Sequence, residues 1–312
     1  MRSPARRLAV LGCALVCITS ASVIAQNGPP RQVLPEGIRG GSETVPEPRV
    51  EIRKYLFTET GEELPYSVFV SSKVRKEQKA PLIIALRGFT GTTLTFVRGT
   101  AVDLAEAGGY ILVGAIGYNN RAGFGVQAGP RPGAAPGASA PGAAPASAAS
   151  PAAAPAARPQ PPLVGGSKET DPVKVTEYSE KDVMNVLALV RKEFNVDDQR
   201  IYLMGHSQGG GGARHLAEKY SDTWAAVALL APALFNVQVT ADSKITKVPL
   251  LLAVGDQDSL ITSARSFSGQ LKDLNVAHEY IEMPGLDHGT IIMGSMPNVF
   301  KFFPKHVKPV RR

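Results

Sequence analysis

Beyond residue 17 this chain of 312 residues contains no cysteine; the two it has are Cys13 and Cys17. Both fall in a segment that reads as an export signal, so the processed chain is expected to carry none. That excludes disulfides, a thiol nucleophile and cysteine-ligated zinc together. Nothing after residue 25 is long and apolar enough to span a bilayer. No repeat of solenoid period is present. His215, His278 and His306 show no metal-ligand spacing. A clustered basic face is missing as well. The 34 Lys and Arg exceed the 27 Asp and Glu, but residues 1–25 hold three of those bases and residues 301–312 hold five. Setting both ends aside leaves 26 bases against 27 acids, a near-neutral body unsuited to nucleic acid. At 44% hydrophobic and 20% charged residues, the chain is neither wholly disordered nor collagen-like.

The first 25 residues run basic, apolar, then small, ending Val23-Ile24-Ala25. This is the pattern of a secretory signal peptide cut after Ala25, placing the product in the periplasm or outside the cell. The alternative is an uncleaved anchor, which Thr19, Ser20 and Ser22 weaken. Leu11-Gly12-Cys13 faintly resembles a lipoprotein signal, but Cys13 comes too early. Residues 26–49 read as a flexible linker and residues 304–312 as a solvated basic tail. In residues 128–162, 32 of the 35 are Ala, Pro, Gly or Ser. Such a segment cannot bury enough apolar area to offset chain entropy, so it is expected to be a flexible insertion in a surface loop.

The rest, residues 50–303, alternates strand and helix signals. Residues 50–57 and 64–71 alternate apolar and polar around Gly61, the pattern of a hairpin. Strands are expected at 81–86, 110–116, 201–204, 225–230, 248–254 and 279–283. Helical spacing spans 97–105, 213–220 and 290–303. Val183, Val186, Leu187, Val190 and Phe194 imply a helix capped at Ser179. The expected class is α/β: a mostly parallel central sheet with helices on both faces and an antiparallel N-terminal hairpin.

The sharpest motif is Gly205-His206-Ser207-Gln208-Gly209, a G-x-S-x-G between a strand and a helix. A turn this tight needs residues without side chains two before and two after the serine. A serine hydroxyl needs a base, and the base needs an orienting acid. In chain order, Asp258 follows the strand at 248–254 and His288 follows the strand at 279–283. Asp256 is the alternative acid. Asp287 adjoins His288 and is expected to serve the local turn; His206 is expected to pack under the nucleophile turn. Backbone N–H groups of Gln208 and Phe89 are the candidate oxyanion donors. For Gly211 and Gly212, tight helix packing is the expected role.

On Gly205–Gly210, Gly255-Asp256-Gln257-Asp258 and Asp287-His288-Gly289 the chain resembles the α/β-hydrolase superfamily. Within it, the resemblance is to secreted esterases of the polyhydroxybutyrate depolymerase and feruloyl esterase type, and to prolyl-oligopeptidase-like hydrolases. It implies a Ser207–Asp258–His288 triad, no cofactor, no metal, and acyl-serine chemistry on small or polymeric esters, or on amides. An inactive scaffold that only binds ligand is the third reading. One position departs: where such families carry H-G-x-x-G, this chain has Arg87-Gly88-Phe89-Thr90-Gly91. Arg87 is a structural replacement or a substrate contact, and Tyr118 is a second candidate contact.

Overall fold

Residues 34, 36–127 and 161–309 are described by the structure, a computed structural model. Eight strands form one sheet in the order β1-β2-β4-β3-β5-β6-β7-β8. In chain order these are β1 (Glu51–Phe57), β2 (Glu62–Val70), β3 (Ala80–Leu86), β4 (Ile111–Ala115), β5 (Val196–His206), β6 (Ala226–Leu230), β7 (Leu250–Gly255) and β8 (His278–Met283). From β4 to β8 neighbouring strands run parallel, while β1 pairs antiparallel with β2 and β2 antiparallel with β4. Gly61 turns the hairpin at φ 64°, a conformation open to glycine.

The central strands are apolar throughout because both faces are covered. Leu82, Ile84, Leu203, Leu229 and Leu252 point into one core. There they meet α2 (Pro172–Glu193), α3 (Gln208–Lys219) and α4 (Ile261–Asp273). Ile83, Ala85, Met204, Ala228 and Leu251 point into the other, under α1 (Gly99–Gly108), α5 (Ile291–Gly294) and α6 (Met296–Phe302). The two outermost strands are unlike the rest. β1 carries Glu51, Arg53 and Lys54, with Arg53 paired to Glu51 and Glu193. β8 carries Glu279 and Glu282, paired to Lys305 and Arg265.

Four expectations give way. α2 begins at Pro172 behind an Asp171 cap, whose side chain accepts from the Val173 amide at 2.8 Å. Ser179 is interior, its hydroxyl donating back to Thr176 O. The first turns were hidden because Val173 is exposed and breaks the apolar spacing. The helix expected over 290–303 is split at Ser295, where Pro297, lacking an N–H, opens a new helix. The segment expected as a linker is anchored from Arg39 onward. Arg39 pairs with Asp103, Glu43 accepts from Thr92 and Thr95, and Glu47 accepts from the Gly99 amide. The basic tail is docked at Lys308, which donates through its backbone to Gln199 O and through Nζ to Asp222 O and Thr223 O, while residues 310–312 lie outside the described residues. The export signal at 1–25, the linker's first residues and insertion residues 128–160 lie outside the described residues.

Candidate active site

β3 is flanked by β4 on one side and β5 on the other, so the chain's direction of travel across the sheet reverses there. In open parallel sheets the crevice beyond the strand C-termini at such a point is where ligands bind. The loops leaving β3 and β5 at this point carry the oxyanion candidates and the nucleophile.

Ser207 follows the last residue of β5 with φ 55° and ψ −117°, a strained conformation for a residue with a side chain. The strain is held by three backbone bonds: the Ser207 amide donates to Leu230 O, and Ser207 O accepts from the Gly211 and Ala233 amides. The flanking glycines are obligatory for a geometric reason. A Cβ on Gly205 would lie 2.1 Å from Gly209 O, and one on Gly209 2.3 Å from Arg87 O. The next glycines serve packing, though against loops rather than the sheet: Gly211 lies against Ala233 O and Gly212 against the Phe124 ring.

The three chemical groups converge. The Ser207 hydroxyl lies 2.8 Å from His288 Nε2, and His288 Nδ1 lies 2.8 Å from Asp258 Oδ2. The Asp258 carboxylate is buried, and its Oδ1 accepts from the Leu260 amide at 2.8 Å. Asp256 instead accepts from the Gly285 amide and holds the loop. Asp287 accepts from Gly289, Thr290 N and the Thr290 hydroxyl, a local turn role; this holds its carboxyl below the usual carboxylate range.

His206 is fully buried beneath this arrangement. Its Nε2 donates to the His288 carbonyl at 2.7 Å, and the two rings pack 4.6 Å apart. Burial, reinforced by the His288 ring, pushes its pKa down to about 3. His206 is therefore neutral, with its proton on Nε2, and pins the main chain of His288. The G-H-S motif pointed to a packing residue, and this tether is a role the motif could not show.

That burial has a consequence for stability. Below pH about 6.5 the unfolded chain protonates His206, whereas the folded protein does so only near pH 3. This group therefore makes folding stability drop as pH is lowered, at a limiting slope of about 1.4 kcal/mol per unit. Asp182 opposes it. That carboxyl is buried and pushed up to about 6, so the folded protein binds its proton first and gains stability as pH falls. Comparison with His206→Gln isolates the histidine. Between pH 7 and 5 the wild type should lose about 2 kcal/mol more unfolding free energy than the variant in urea titrations. Equal pH dependence would show that His206 is not held neutral.

A cleft of about 280 Å³ opens over Ser207 and His288. Phe89, Val126, Ala233, Phe235 and Leu260 form its apolar wall; Gln127, Gln208 and Ser259 add neutral polar groups. Phe89 and Gln208, the oxyanion candidates, thus both border the nucleophile. Gln208 is the first residue of α3. The Thr90 and Gly91 amides of the same loop donate to Asn120 O and Gly88 O.

The two candidate substrate contacts are corrected. Arg87 is 1% exposed and lines no part of the cleft; its donors go to main-chain carbonyls and the Gln208 side chain. Tyr118, with φ 62°, turns away into a small cluster with Phe57 and Tyr178. Its hydroxyl donates to Glu62 and accepts from the Glu169 amide. The real wall residues Phe235, Ser259 and Leu260 lie in loops with no periodic signal. Among the described residues, no three His, Cys, Asp or Glu side chains group as metal ligands.

Comparison with known proteins gives the following. A family model described as Dienelactone hydrolase family matches residues 68–292. Cutinase 2 of Thermobifida cellulosilytica is 33% identical over 96 residues, 30% of this chain and 34% of that one. The chain spans about a third or less of the length of the curated relatives it matches. Among solved structures, a ferulic acid esterase from the anaerobic fungus Anaeromyces mucronatus superposes with a TM-score of 0.58 at 18% identity. That match covers 87% of this chain and 95% of the other. A fluorophosphonate-binding serine hydrolase of Staphylococcus aureus, with substrate bound, gives 0.55 at 13% identity, over 81% and 97%. At these identities the structural matches establish the α/β-hydrolase fold alone.

Proposed function

The chain belongs to the dienelactone hydrolase family, and from that premise we propose that it is an exported serine hydrolase cleaving carboxylic esters through an acyl-serine intermediate. The observation that carries the reading is the unbroken hydrogen-bond line Ser207–His288–Asp258, with 2.8 Å at each step. Ser207 Oγ attacks the acyl carbon as its proton passes to His288 Nε2. Asp258 accepts from His288 Nδ1–H, fixing the tautomer and stabilising the imidazolium. The Phe89 and Gln208 N–H groups face the oxyanion. Collapse of the tetrahedral intermediate breaks the bond to the alcohol, which leaves with the proton from His288. Water then adds to the acyl-enzyme, giving its proton to His288, and a second collapse frees the acid and restores Ser207.

The cleft favours an uncharged acyl group. None of its described wall residues is an acid, lysine or arginine, so a carboxylate there would lose hydration without an ion pair. A panel of p-nitrophenyl esters tests this. Neutral butyrate should turn over at least about 10-fold faster in kcat/KM than the hemisuccinate, whose acyl chain bears the charge. A preference for the hemisuccinate would contradict the cleft assignment, and faster cleavage of peptidyl amides than esters would make the protein a peptidase. Export is supported by the basic-apolar-small pattern of residues 1–25. It predicts recovery outside the cytoplasm of a chain starting at Gln26; a cytoplasmic chain retaining residue 1 would refute it.

A further inference from the structure

Arg87 is a buried cation that the triad chemistry does not use. A guanidinium has five N–H donors in a fixed fork, and here all five are occupied. Nε donates to Ile116 O at 2.9 Å. Nη1 donates to Gly88 O at 3.0 Å and to the Gln208 side-chain oxygen at 3.2 Å. Nη2 donates to Ala122 O at 2.9 Å and to Asn119 O. The guanidinium carbon lies 4.8 Å from the centre of the Phe124 ring. Every acceptor is neutral; the buried Asp182 carboxylate acts on the charge through space, without a hydrogen bond to the guanidinium.

The choice of acceptors is informative. The Gly88 carbonyl belongs to the same peptide group as the Phe89 N–H, so a charged donor on that oxygen fixes the peptide plane and strengthens the N–H as a donor. The Gln208 side chain is held from both sides, by Arg87 and by its own Nε2 donating to Arg121 O at 3.1 Å. Ile116, Asn119 and Ala122 belong to the loop leaving β4, and Asn120 O in that loop accepts from the Thr90 amide at 2.7 Å. One side chain therefore joins the two segments that supply the oxyanion donors and the loop that backs them.

We propose that Arg87 is a positioning residue of the oxyanion site, orienting and polarising the Gly88–Phe89 peptide while holding Gln208 at the start of α3. The inference rests on the reading of Ser207 as an acyl-forming nucleophile. Lysine offers three donors from a point rather than a planar fork, so it cannot reproduce the set. Removing one oxyanion donor outright costs about 10²- to 10³-fold in kcat, and misaligning one costs less.

The test uses Arg87→Lys, Arg87→Met and Arg87→Ala with p-nitrophenyl butyrate. Expected are kcat losses of about 10-fold in Arg87→Lys and about 100-fold in Arg87→Met, with KM changed less than about 3-fold. Millimolar guanidinium chloride should restore kcat in Arg87→Ala, whose cavity admits it, and not in Arg87→Met. Unchanged kcat in Arg87→Met, a raised KM at constant kcat, or activity lost without guanidinium rescue would each overturn the proposal. Amide exchange in Arg87→Lys provides a readout independent of turnover. Thr90 and Gly91, whose amides donate to Asn120 O and Gly88 O, should exchange faster while the β6 and β7 amides do not. Unchanged exchange there overturns the positioning role. A wild-type protein inert toward all esters would instead remove the reading of function, and the exchange result would still decide Arg87.

Discussion

Ser207→Ala should reduce kcat for p-nitrophenyl butyrate by roughly 10⁵- to 10⁶-fold and abolish labelling by a fluorophosphonate. The fold should be untouched. Alanine keeps the Cβ, and the bonds that hold φ at 55° are main-chain bonds to Leu230, Gly211 and Ala233. Among the described residues bordering the cleft, no other group can replace the hydroxyl in line with His288 Nε2. Ser259 also borders the cleft, but the hydroxyl bonded to His288 is that of Ser207. The rate that survives reports the oxyanion donors and binding alone. Combining Ser207→Ala with His288→Ala should add almost nothing to the single loss, because the two act as one unit. An alanine variant within 10-fold of wild type, at matched melting temperature, would remove Ser207 from the chemistry.

The second large effect is expected from Asp258→Asn, about 10⁴-fold in kcat. The direction follows from two hydrogen bonds. Asp258 Oδ1 accepts from the Leu260 amide, and Oδ2 accepts from His288 Nδ1. An asparagine must keep its oxygen on the Leu260 amide, so its NH₂ turns toward His288. Nδ1 is then forced to accept, the imidazole proton moves to Nε2, and the ring presents a donor to a hydroxyl that needs a base. The side chain is buried, so no solvent reorganisation relieves this. KM should change little, since Asp258 borders no part of the cleft. A loss below 10-fold would mean that Asp256, the other acid of the loop, orients the ring instead.

Both effects concern residues legible in the sequence, and the reason is local. The turn around Ser207 is so tight that it demands glycine at 205 and 209, which prints a pattern on the chain. Asp258 follows the apolar run of β7 and His288 follows the mixed strand β8, so strand order alone lines them up. The cleft wall was not legible. Phe235, Ser259 and Leu260 are placed by loop geometry, and loops carry no period to read. Arg87 was half legible, since of its two readings, structural replacement and substrate contact, the first holds. A charged residue at a strand end looks like a substrate contact, and only the five surrounding oxygens reveal a buried fork. The early start of α2 was hidden because its first turns face solvent.

The charged border strands described above have a meaning beyond their ion pairs. Any flat sheet invites another chain to continue it, and here both open margins present ionic groups that make such growth unfavourable. Behind β1 lies β2, whose residues 66–69 are all buried. A proteolytic nick that releases residues 51–57 would therefore uncover the buried Tyr66–Phe69 stretch of β2 with unmatched main-chain groups. The first strand acts as a guard against self-association, and the molecule's colloidal fate in a harsh medium depends on seven residues that take no part in its chemistry.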